Sequence, residues 1–277
     1  MKKLFVSLGL LAGIAAQAQV QGKASEVAPQ KEGKVIYERT MQVRRPQNID
    51  PELAARIPSA RTEVFELLFG NGKSLYRAVP SADGGNGDIS LQGPGGGTMM
   101  VRSMGSLNDE TFVDLTKRER IDKTEQFGRE FVVADSIRPL AWKFADETKT
   151  ILGKTARKAY AQRIGTRMSM SFENGEMKRT PMPDTSTIVA WFTTEIPASF
   201  GPAEFQGQLP GLVLEVDVNN GRFIYKAVEL SPKVSLSAIR EPKGKRLTPA
   251  EAAKAREDAM AEMTKNMPAG MNIRVQN

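Results

Sequence analysis

Apolar and polar residues alternate in short runs along most of this chain, and a period near two predicts strands, not helices. Lys34–Val43 is rich in β-branched and aromatic residues. Arg61–Phe69 and Ser74–Val79 flank Gly70-Asn71-Gly72-Lys73, whose Asn-Gly pair suits the left-handed backbone of a tight hairpin. Met99–Met104, Thr111–Thr116, Arg120–Thr124 and Glu130–Ala134 continue the series. Trp142-Lys143-Phe144, Lys149–Leu152, Ala156–Ile164 and Arg167–Phe172 follow, with a second Asn-Gly turn at Asn174-Gly175 and an apolar strand at Thr187–Thr193. The clearest hairpin joins Leu212–Val218 to Arg222–Leu230 through Asn219-Asn220-Gly221, and Val234–Ile239 predicts one more strand.

Helical signals are few. Glu52–Arg56 predicts one turn between Pro51 and Pro58. Thr248-Pro249-Ala250-Glu251 is a capping box with proline at the first helical position, and an alanine-rich segment runs on to Met267 before Pro268 and Gly270. On that segment Ala252, Ala255, Ala259, Met260, Met263 and Met267 share one face. The expected fold is mainly β: a curved antiparallel sheet, as a half-barrel or sandwich, with a C-terminal helix packed against it. The expected divisions are a signal peptide (1–18), a flexible lead-in (19–33), a β domain (34–247) and a helix (248–268) before the tail (269–277). Within the β domain, 81–98 carries Asp83-Gly84-Gly85-Asn86-Gly87 and Gly93-Pro94-Gly95-Gly96-Gly97 and predicts a mobile loop.

Composition removes much chemistry. The 277 residues hold no cysteine and no histidine, so disulfides, thiolate nucleophiles, Ser–His–Asp triads and imidazole metal ligands are all excluded. Lys2 and Lys3, the apolar run from Leu4 to Ala15 and the small residues of Ala16-Gln17-Ala18 have the form of a secretory signal. The run is short for a membrane span. The expected location is the periplasm or cell envelope, without integral membrane insertion. A formal net charge of +7 raises nucleic acid as a partner. Acids interleave with the bases, however, as in Lys117-Arg118-Glu119-Arg120, and no aromatic-rich basic stripe accompanies them; the charges read as solvated surface. Gly72-Lys73-Ser74 resembles the end of a phosphate loop, but Leu67 stands where the first glycine belongs.

Residues 190–214 carry an aromatic pair (Trp191-Phe192), Glu195, Ile196-Pro197, Gly201-Pro202 and then Gln208-Leu209-Pro210-Gly211-Leu212-Val213. This resembles the signature of the GLPGLI family, secreted proteins typical of Bacteroidota and largely of unknown function. Gln208 replaces the first glycine of the name-giving hexapeptide, with Gly207 beside it. Trp142-Lys143-Phe144, Glu147, Lys149, Ile151, Gly153, Lys158 and Ala159 resemble the family's second block. Ala156 stands where that block often has cysteine, so any family disulfide is absent here. The resemblance implies export and no particular activity.

Physically, Pro197, Pro202 and Pro210 fix φ, whereas Gly201, Gly207 and Gly211 open conformations closed to other residues. One reading is a rigid crossover that tucks Leu209 and Leu212 into the core. The other is a preformed rim that receives a ligand, with Trp191, Glu195, Gly201, Pro202, Leu209, Pro210, Gly211 and Leu212 as candidate binding residues. The expected function is an exported, non-enzymatic binding protein, without cofactor, for an apolar small molecule, a peptide or an outer-membrane transporter. Two alternatives stay open. The 13 methionines supply thioethers for Cu(I), with Met168, Met170, Met263 and Met267 as candidate ligands. A carboxylate- or hydroxyl-based hydrolase would need two groups to converge in a cleft, drawn from Glu195, Glu204, Glu215 and Asp217 or from Ser199 and Ser171.

Overall fold

The computed structural model describes residues 31–43, 51–80, 89–92, 98–101, 108–173 and 176–265. The expected signal peptide, most of the lead-in, most of the glycine-rich stretch, the Asn174-Gly175 turn, Met267 and the tail lie outside the described residues.

Among the described residues fourteen strands form, in order β1 (Gly33–Gln42), β2 (Ala60–Gly70), β3 (Lys73–Ala78), β4 (Ile89–Gln92), β5 (Thr98–Val101), β6 (Glu110–Asp114) and β7 (Glu119–Gln126). Then come β8 (Arg129–Ser136), β9 (Lys143–Ile151), β10 (Lys154–Glu173), β11 (Glu176–Thr193), β12 (Leu212–Val218), β13 (Phe223–Ser231) and β14 (Arg246–Leu247). Two helices, α1 (Pro51–Arg56) and α2 (Pro249–Lys265), complete the set with 3-10 turns at Ala203–Phe205 and Leu236–Ala238. Twelve strands make one open sheet in the order β14-β8-β7-β6-β3-β2-β1-β13-β12-β11-β10-β9, and β4 and β5 pair with each other. Every pairing in the large sheet is antiparallel except the short β14–β8 contact.

The turns follow from the residues that make them. Asn71 (φ 52°) and Gly72 (φ 71°) hold the left-handed pair that closes β2 onto β3, and Asn219, Asn220 and Gly221 turn β12 into β13. Asp217 sits at that second turn and accepts the Gly221 N–H at 2.6 Å. The capping box forms as the sequence predicts: Thr248 N–H donates to Glu251, and Glu251 N–H donates back to the Thr248 hydroxyl. Ala252 and Ala259 of α2 bury against Phe131 and Val133 of β8. Among the described residues no helix is long and apolar enough to cross a membrane.

Some boundaries differ from the sequence reading. Ala156–Ile164 and Arg167–Phe172 are one strand, β10, because Gly165 and Thr166 keep the ladder to Asp184 and Pro183. Its partner β11 starts at Glu176, well before Thr187, and takes Pro181 and Pro183 into the strand. Val234–Ile239 is no strand; a 3-10 turn sets Leu236 against Gly70. The stretch 81–98 contains β4, which pairs with β5.

Register shows which face is inside. Val35 and Tyr37 on β1 lie opposite Leu67 and Phe65 on β2, and Leu67 lies opposite Tyr76 on β3. Across β13, β12 and β11 the same face continues through Ala227, Tyr225, Val216 and Ala190. This is the inward face, and the connection from β11 to β12 covers it.

Candidate functional site

That connection, residues 194–211, is the motif region. It does not stand as a rim around an empty bowl. It folds back over the inward face and occupies it. Ile196, Ala198 and Phe200 join a core with Tyr37, Leu67, Phe69 and Leu214, while Phe205 and Leu209 pack with Ile188, Phe192, Val216 and Tyr225.

Its backbone is fixed where glycines allow close approach. A Cβ on Gly211 would lie 2.1 Å from the Thr193 carbonyl oxygen, and one on Gly201 would lie 2.8 Å from the Val213 Cβ. Leu212 N–H donates to Ile196 C=O and Val213 N–H to Phe200 C=O, so the segment is stitched to the start of β12.

Polar side chains tie it across the sheet. The Tyr37 hydroxyl donates to Val213 C=O and the Ser74 hydroxyl to Gln206 Oε1, both at 2.5 Å and both buried. Gln208, which stands in place of a motif glycine, accepts from the Leu140 N–H and the Trp142 indole at 3.1 Å each, and donates to Glu204 C=O. A glycine there could offer none of these bonds.

Beyond the inner segment the inward face changes character. Arg39, two residues after Tyr37, lies opposite Glu63 on one side and Tyr225 on the other. Glu63, 5% exposed, is gripped by Arg39 and also reached by Arg61 Nε at 3.4 Å. The Arg39 guanidinium stacks over the Phe65 ring at 4.6 Å. Beside it, Glu204 from the 3-10 turn pairs with Arg163 of β10 at 2.9 Å, both about two-fifths exposed. Two phenols complete the group. Burial, with Glu204 nearby, pushes Tyr225 up to about 12, although Arg39 and Arg163 pull the other way. Burial likewise pushes Tyr76 well above the ordinary tyrosine value. Its buried hydroxyl makes no hydrogen bond among the described residues. The site is thus a set of donors, the guanidiniums of Arg39, Arg61 and Arg163 and two phenols, with Glu63 and Glu204 seated among them.

The predicted binding residues are placed as follows. Gly201, Pro202, Leu209, Gly211 and Leu212 are inside the fold, and Pro210 is exposed. Trp191 is half-buried, with Lys149 over its ring at 4.3 Å and Lys158 at 5.9 Å. Glu195 accepts from the Thr155 N–H and pairs with Lys154; the first of these is the main cause holding its carboxyl below the usual range. The acids considered for hydrolysis are dispersed: Glu204 on Arg163, Glu215 on Lys149, Asp217 on its own turn. Met168 and Met170 belong to β10, whereas α2, which bears Met263, packs at the opposite end of the strand order. Met267 lies outside the described residues. Among the described residues no cluster of three or more carboxylates could hold a metal ion.

Sequence reasoning missed Arg39, Arg61, Glu63, Tyr76 and Tyr225. A signal was present: Arg39 shares the parity of Val35 and Tyr37, and Glu63 that of Phe65 and Leu67, so alternation itself puts charge on the apolar face.

Residues 142–215 match the model of a family described as "Protein of unknown function (Porph_ging)". That family is uncharacterised and typical of Bacteroidota. The matched span runs from Trp142, which bonds Gln208, through the whole inner segment to Glu215. No curated protein matches the sequence. Among solved structures, the C2 crystal form of PNGF-II is similar with a TM-score of 0.48 and 14% identity, covering 84% of this chain. The P21 form gives the same score and identity over 83%. The chain spans about a third of the length of PNGF-II (33% and 34% in the two forms). LprF from Mycobacterium bovis is similar with a TM-score of 0.28 and 9% identity, covering 78% of this chain and 92% of LprF.

Proposed function

We propose that this chain is an exported, envelope-associated binding protein, not a catalyst, and that it takes an oxyanion-bearing ligand at the charged end of its inward face. The observation that carries the reading is the Arg39–Glu63–Arg61 row with Tyr225 on a face that is otherwise apolar. A buried ion cluster is a poor source of stability, since well-packed apolar residues of similar volume usually serve as well or better. Its use there is recognition. Guanidinium forks and phenol hydroxyls are donors matched to carboxylate or phosphate oxygens. Glu204 already places such a group on Arg163. A ligand oxyanion would compete with it, while the ligand's body lies along the half-buried Phe223 beside Tyr225.

Because residues 194–211 fill the apolar part of the bowl, a whole lipid tail is not the natural cargo of this conformation. The carboxylate of a lipidic molecule or of a peptide C-terminus fits better, and delivery to an outer-membrane transporter is consistent with it. Export rests on the signal-like residues 2–18, and assignment to the GLPGLI family on Leu209-Pro210-Gly211-Leu212 with Gly201-Pro202.

The test is calorimetric titration with inorganic phosphate, a medium-chain carboxylate and the alcohol of equal length, alongside native mass spectrometry of protein purified from its own envelope. Binding of at least one oxyanion and not the alcohol is expected. Glu204→Gln should tighten it several-fold by freeing Arg163, and Tyr225→Phe should weaken it. Equal binding of the alcohol, or indifference to both substitutions, would overturn the assignment.

A further inference from the structure

Three tyrosines are buried on the inward face, and they differ in what their hydroxyls do. Tyr37 donates to Val213 C=O at 2.5 Å. Tyr225 is met by the Arg39 guanidinium. Tyr76 is 5% exposed, and its hydroxyl is closed off from water without a hydrogen bond among the described residues. A buried donor left unmade is costly, and folding gains nothing from it. The ring alone does the packing: it stacks on Phe65 at 5.0 Å and meets Tyr37 edge-on at 6.3 Å. Phenylalanine would serve those contacts equally well without the cost.

This hydroxyl belongs to the charged end of the face. Tyr76 and the Arg39 guanidinium lie against the same Phe65 ring. Arg39 lies opposite Tyr225, and Tyr225 packs edge-on to Phe205, the neighbour of Glu204. Polarity falls along that line. Arg163 and Glu204 are about two-fifths exposed, Tyr225 is buried, and Tyr76 sits deeper still in a core with Tyr37, Phe65 and Leu67. An uncharged oxygen can be taken into that apolar end at far lower desolvation cost than an anion.

The mouth is built for one negative charge. The Glu204 carboxylate rests on Arg163 at 2.9 Å, while its backbone C=O accepts from Gln208 at 2.6 Å, so the side chain can swing off with the turn held in place. The seat it leaves has lost a single negative charge. A ligand that restores the balance carries one, as a carboxylate does and a phosphate dianion does not.

Building on the oxyanion reading above, we propose that the ligand is a monocarboxylate with a carbonyl or hydroxyl oxygen further along its body. Its carboxylate replaces that of Glu204 on Arg163, and the Tyr76 hydroxyl donates to the second oxygen and selects for it. The swing of Glu204 admits the ligand to a hydroxyl that is covered in the present conformation.

The test is calorimetric titration with octanoate, with a series of oxo-octanoates differing only in the position of the ketone, and with inorganic phosphate at alkaline pH, where it is a dianion. At least one oxo acid should bind about fivefold tighter than octanoate, and phosphate should bind weakest. In Tyr76→Phe that advantage should fall below about twofold. The melting temperature of this variant without ligand should equal or exceed that of the wild type, since no partner within the fold is lost. A purely structural hydroxyl would instead lower the melting temperature and weaken every acid alike. Oxo acids no tighter than octanoate, phosphate tighter than every acid, an advantage that survives Tyr76→Phe, or a lower melting temperature in that variant would each overturn this proposal and leave the oxyanion reading standing. Failure of every acid and of phosphate to bind would overturn both.

Discussion

Gly211 lies where backbone meets backbone. An added methyl would fall 2.1 Å from the Thr193 carbonyl oxygen, and no rotamer change can relieve a clash with main chain. Gly211→Ala is expected to cost on the order of 3 kcal/mol and to lower the melting temperature by about 6–12 °C. A melting curve that superimposes on the wild type would remove this account of the motif. Ser74 makes the same point with a hydrogen bond. Its hydroxyl is the donor to the buried Gln206 oxygen. Ser74→Ala strands that acceptor and should cost about 1–3 kcal/mol, read as a lower urea midpoint at unchanged slope. The need for glycine at 211 was legible in the sequence as a turn requirement. Its real cause, contact with a carbonyl eighteen positions earlier, was not, because nothing local to the motif reveals which strand it lies against.

The inner segment holds its place through a few large side chains. Phe205 is almost wholly buried, with its ring edge-on to Tyr225 at 6.1 Å. Phe205→Ala should cost about 3–5 kcal/mol. It should also loosen the 3-10 turn that carries Glu204, so that the amides of Gly207 and Val213, bonded to Ser199 and Phe200, exchange faster than those of β1 and β2. Uniform acceleration everywhere would show instead that the segment and sheet open as one unit. Elements with strong local chemistry were readable from sequence: the Asn71-Gly72 hairpin, the Asn219-Asn220-Gly221 turn, and the capping box of α2. The long β10–β11 hairpin was not. Gly165 reads as a break and Pro181 and Pro183 as stops, yet at a ribbon edge a missing donor costs nothing, and the ladder runs straight through them. The order of the twelve strands also lay beyond reach, because β1 pairs not only with its neighbour β2 but also with β13, through contacts nearly two hundred residues apart.

At the level of the whole fold, pH exposes how much tyrosine is buried. Tyr225 is pushed up to about 12, and Tyr37 and Tyr76 are raised as well, in each case chiefly by burial. In the unfolded chain a tyrosine ionises near 10. The sign follows from that difference. Below pH 10 both states are neutral at these residues and the native preference is complete. As pH rises from 10 through 12 the unfolded chain releases protons that the native one keeps, and stability falls, by at most about 1.4 kcal/mol per pH unit for each tyrosine. Denaturant midpoints should therefore drop steeply between pH 10 and 12, and Tyr225→Phe should make the decline shallower. An unchanged midpoint across that interval would mean that the phenols reach water in the native state. The charged cluster beside them was hidden from a reading by composition, since five residues of three ordinary types, scattered from 39 to 225, become a site only when β1, β2, β3 and β13 stand side by side.

The connection over the inward face leaves β11 and returns to β12, and those two strands are already hydrogen-bonded neighbours, with Thr193 opposite Leu212. Everything from Thr194 to Gly211 is consequently a cassette between adjacent staves. It can be lengthened, exchanged or cut to a tight bend without rethreading any other part of the polypeptide. A change of insert would therefore alter the lining of the inward face while leaving the order of the staves as it is.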